Sequence, residues 1–88
     1  MIRELISGLP EQVRDQIEQY RADYTRWLKY AEFEDEGYVR IGRRYADEVR
    51  EHMHAYTLAL MHTGLVTERG RQAIFVYMTV PVREAEEV

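Results

Sequence analysis

Val13, Ile17, Tyr20, Tyr24, Trp27 and Ala31 recur at intervals of 4, 3, 4, 3 and 4 residues. That spacing follows the turn of a 3.6-residue helix and lays all six on one stripe, so it predicts a long helix over 10–34. A stripe this apolar needs cover, and we read Val13, Ile17, Tyr20, Tyr24 and Trp27 as a dimer seam. Pro10 suits a first turn and Ser7 an N-cap. Glu18 with Arg21, and Asp23 with Arg26, stand close enough to pair on the helix surface. The run "EFEDEG", Glu32 to Gly37, should end the helix, because carboxylates oppose the negative end of the helix dipole and glycine relieves the backbone. Asp35 or Glu36 can then open the next helix.

The 88 residues suffice for a single domain, 1–88, with one modest core. With no cysteine, the chain has no disulfide, no thiolate metal site and no cysteine nucleophile. No apolar run approaches the roughly 20 residues needed to cross a bilayer, and no signal segment opens the chain. We therefore expect a cytoplasmic protein without membrane contact. A domain this small, lacking staples, often completes its core by pairing, so a homodimer is expected.

From Tyr38 to His62 the pattern is helical again, with Ile41, Tyr45, Val49, Met53, Tyr56 and Leu60 on one face. Either one long helix or two short ones fits; Asp47, followed by Glu48 and Glu51, resembles an N-cap with an acidic first turn, which favours two shorter helices over 38–45 and 48–62. Gly64 fits as the stop of the second. Beyond it, Ile74, Val76, Met78 and Val80 alternate with Phe75, Tyr77 and Thr79, and β-branched and aromatic residues dominate. "LVTE" supplies a partner strand and "RGR" the turn, so a C-terminal β-hairpin is expected. The expected fold is α+β: a long N-terminal helix, two shorter helices and the hairpin, with 83–88 a disordered tail. An all-α three-helix bundle is the alternative.

Gly64, Leu65 and Val66, then Arg69, Gly70 and Arg71, then Tyr77 and Thr79, fall in the order of a wing. Over residues 38–80 the chain resembles a winged helix-turn-helix DNA-binding domain. The resemblance implies a homodimeric transcriptional regulator on double-stranded DNA, with Arg50 and His54 at base edges. Arg40, Arg43 and Arg44 would then meet phosphates, and Arg69 and Arg71 the backbone or minor groove. The charge layout agrees in part. The chain carries −4 overall, yet residues 37–72 hold six arginines against four acids, together with all three histidines.

Two other classes fit the same residues. One is a non-enzymatic protein-interaction module or inhibitor, which suits the acidic pI near 5.3. A variant of it is an oligomer in which Tyr38, Arg40, Arg44 and Tyr45 grip an anionic, nucleotide-like ligand. Glu51-x-x-His54, and Glu48 with His52, have metal-chelating spacing, but such pairs recur by accident in charged helices. Ser7 is the only serine, with no histidine near it in sequence. No catalytic residue, metal or cofactor is expected.

Overall fold

In the computed structural model, which describes residues 2–81, the chain forms four helices: α1 (Ile2–Ser7), α2 (Glu11–Ala31), α3 (Glu36–His62) and α4 (Glu68–Thr79). There is no strand among the described residues. The α+β expectation is thus corrected to an all-α fold. The tail expected over 83–88 lies outside the described residues.

The expected hairpin is α4, and its first turn explains why. Thr67 is the N-cap, its Oγ1 accepting from the Gly70 amide at 3.1 Å. Glu68 then accepts two hydrogen bonds from Arg71, at 3.1 and 2.6 Å, and a third from Gln72 at 3.0 Å. A cap and an acidic first turn stabilise a helix start by about 1 kcal/mol each, comparable with the whole span of strand propensity. Packing decides the rest. Gly70, Ile74 and Met78, four apart, are buried on one side, while Val76, on the same face as Ile74 and Met78 in the expected strand, is 59 % exposed. Gly70 is a buried residue of the first turn of α4 rather than a turn glycine, with Val66 and Leu5 of α1 beside it.

The two shorter helices are likewise one continuous α3. Its N-cap is Asp35, whose Oδ1 accepts from the amides of Gly37 at 2.8 Å and Tyr38 at 3.4 Å. Asp47 and Glu48 are exposed mid-helix residues. Gly37 lies in the first turn of α3, and α2 has already ended at Ala31. The stop at Gly64 is as expected: its φ is +84°, Leu65 N–H donates to Leu60 O and Gly64 N–H to Met61 O, both at 3.0 Å. Ser7 closes α1, its hydroxyl donating to Glu4 O, and Pro10 is the N-cap of α2.

The core is built from Ile6, Leu9, Ile17, Met53, Leu60, Val66, Ile74 and Met78. Ile17 is wholly buried in it, and Val13, Tyr20 and Tyr24 pack against it. The stripe read as a dimer seam is therefore turned to the chain's own α3 and α4. Trp27 continues it against Tyr45 of α3.

Candidate interaction surface

The α2–α3 hairpin outreaches the rest of the fold. At 1.5 Å per residue α3 is about 40 Å long and α4 only about 18 Å. The end of α4 is fixed where Arg21 Nε donates to Val80 O at 3.0 Å. Beyond Arg21, α2 runs on for about 15 Å to Ala31, and its last turns meet α3 through Trp27, Tyr30 and Ala31.

Along this tip the two backbones nearly touch. A Cβ placed on Gly42 would lie 2.6 Å from Trp27 O and Ala31 N, and 2.8 Å from Tyr30 Cβ. Only small residues fit such an approach, so the buried row on α3 runs through Gly42 and Ala46 before reaching Met53 and Leu60. Ile41 and Tyr45, expected on the buried face, are displaced outward, with exposures of 45 % and 38 %.

The displaced side chains join a sheath of rings. Trp27 lies 4.6 Å from Tyr45 and 5.4 Å from Tyr30, and Tyr30 lies 5.4 Å from Phe33 and 5.9 Å from Tyr38, centroid to centroid. Such pairs contribute about 0.5–1.5 kcal/mol each beyond area burial, enough to hold the tip rigid. Arg26 sits over Trp27 at 5.1 Å and Arg44 over Tyr45 at 5.9 Å. Phe33 and Tyr38 still expose 49 % of their surface. Trp, Tyr and Arg are the residues that dominate binding energy at protein interfaces, and here Tyr38, Tyr45 and Arg44 are exposed beside a partly exposed Trp27.

The arginines expected on DNA do not converge on one patch. Arg40, Arg43 and Arg44 are exposed near the tip, with Arg44 3.7 Å from Glu48. Arg50 and His54 instead flank Phe75 of α4, each 5.9 Å from its ring. Arg69 and Arg71 lie in the first turn of α4, past the C-terminal end of α3, and that end is itself roughly 28 Å along α3 from Arg43. Arg71 is clasped by Glu68. The wing that was to carry Arg69 and Arg71 does not exist, because its residues are α4. Of the nucleotide-gripping set, Tyr38 and Tyr45 already stack on Tyr30 and Trp27. No group of three or more His, Asp or Glu converges among the described residues, so Glu51 with His54, and Glu48 with His52, remain pairs.

Sequence reading missed Phe33 and Ile41 as surface residues. The available signal was Gly42 and Ala46, four apart on one helical row, where close approach demands small side chains.

Midway along α2, Tyr77 O–H donates to Glu18 Oε1 at 2.6 Å and accepts from Arg21 Nη1 at 3.2 Å. Burial, and then the Glu18 carboxylate, raise its pKa above the ordinary 10.0; burial, and then Tyr20, do the same at Tyr56. Both favour the neutral phenol in the folded state. Their contribution is complete below pH 10.0 and is lost as pH rises through the raised folded values. We expect thermal stability to fall above about pH 10, and to fall less steeply in Tyr77→Phe. Identical alkaline profiles for the two proteins would contradict this.

No membrane-crossing helix occurs among the described residues, since none is long and apolar enough. Comparison with family models, curated proteins and solved structures finds no match for this chain.

Proposed function

We propose that the chain is a non-enzymatic protein-interaction module that pairs as a homodimer through the tip of its α2–α3 hairpin. The observation carrying this reading is the sheath at the hairpin tip, in which the partly buried rings of Trp27 and Tyr30 join Phe33, Tyr38, Ile41 and Tyr45, the last four exposing 38–49 % of their surface. Two helices alone leave their outer faces wet, whereas two such hairpins packed together supply the missing layer of a four-helix bundle. A two-fold axis asks for one self-complementary patch, which each copy carries.

The only tryptophan of the chain lies in this patch, so it reports on pairing directly. Over roughly a thousandfold dilution, Trp27 emission should shift to longer wavelength as copies separate. Emission that ignores concentration would contradict pairing at the tip. The competing reading, contact with double-stranded DNA, requires salt-sensitive binding of genomic fragments that is lost in Arg50→Ala and Arg69→Ala.

A further inference from the structure

At the end of the molecule away from the tip, α1, α2 and α4 enclose an open groove of about 1100 Å³. Its apolar lining is Ile2, Ile6, Ala73, Val76 and Val80, and Val76 and Val80 are among the most exposed large apolar residues of the chain. Arg3, Arg14, Arg21 and Arg69 stand around it, against the carboxylates of Asp15 and Glu18. Glu18 is engaged by Tyr77. The groove is thus a positive site on a chain of net charge −4.

We infer that this groove docks an acidic amphipathic helix of a partner protein. Volume, shape and charge each narrow the occupant. Two turns of helix, about 10 Å across and 11 Å long, fill roughly 850 Å³, close to the space present. A small apolar ligand needs most of its surface enclosed, which an open groove does not provide, whereas an amphipathic helix needs cover on one face only. Arginines on the rim, opposite an apolar floor, select acids along the helix edges, and they act within a Debye length of about 8–10 Å, where the net charge of the whole chain matters less. Arg3, Arg14 and Arg69 make no ion pair among the described residues, so they can serve an incoming carboxylate. The groove shares no residue with the tip patch and stands whether or not two copies pair.

The test uses the full chain and a fluorescein-labelled peptide of about four helical turns, with leucine at i, i+3, i+4 and i+7 and glutamate elsewhere. Saturable anisotropy is expected, weakened at least about tenfold when lysine replaces glutamate in the peptide, or in the protein variant Arg14→Glu with Arg69→Glu. Both arginines are exposed, so circular dichroism of that variant should match the parent. Equal binding of the two peptides would show unspecific adhesion and overturn the inference, as would no saturable binding at all. Residues 82–88 carry Glu84, Glu86 and Glu87. Binding seen only after Glu84→Gln, Glu86→Gln and Glu87→Gln together would assign the groove to the chain's own acidic end and overturn the partner.

Discussion

Gly42→Ala is expected to destabilise the fold by about 1–3 kcal/mol, although alanine is the better helix former by about 1 kcal/mol. The clash decides the sign. The added methyl would sit 2.6 Å from Trp27 O and Ala31 N, and neither can yield by changing a rotamer because both belong to the backbone of α2. The hairpin must open instead, separating Trp27 from Tyr45 and loosening the tip. Gly8→Ala is the control: its methyl would meet nothing closer than 3.6 Å, so stability should hold or rise by up to about 1 kcal/mol. Urea unfolding of the three proteins measures the difference. A Gly42→Ala protein as stable as the parent would mean that the helices are not in backbone contact there.

Ile41→Glu should leave the protomer folded and weaken pairing about a hundredfold or more. Ile41 is exposed and belongs to no ring pair, so within one copy the change is a surface substitution of about 0.5 kcal/mol or less. In the pair it places a carboxylate in each copy's share of a drying interface. Desolvating an unpaired charge costs several kcal/mol, and each 1.4 kcal/mol is tenfold in affinity. Tip variants should not alter peptide binding at the α1–α2–α4 groove.

The elements differ in how far the sequence betrays them. α2 is legible because its stripe from Val13 to Trp27 meets one apolar surface along its whole length. α3 was legible as helical, with one long helix and two short ones both open, and Asp47 and Glu48 tipped the reading to two because they resemble a cap until the packing shows them on the wet side. Its inward face was misjudged for a physical reason. Apolarity marks Ile41 and Tyr45 as core, yet the closeness of α2 admits only Gly42 and Ala46, and closeness is a property of two helices together. α4 was misread because β-branched content outweighed a cap formed by one threonine and one glutamate. α1 is too short for periodicity to reveal. The tip surface follows from the hairpin register, so its residues were visible singly, as seam or ligand grip, but never as one patch.

Solution molar mass by light scattering, taken for the parent and for Ile41→Glu at the same high concentration, tests tip pairing most directly. The parent should scatter as twice its 10.6 kDa chain and the variant as one chain. A parent that scatters as a single chain, or a variant that still scatters as two, would contradict it.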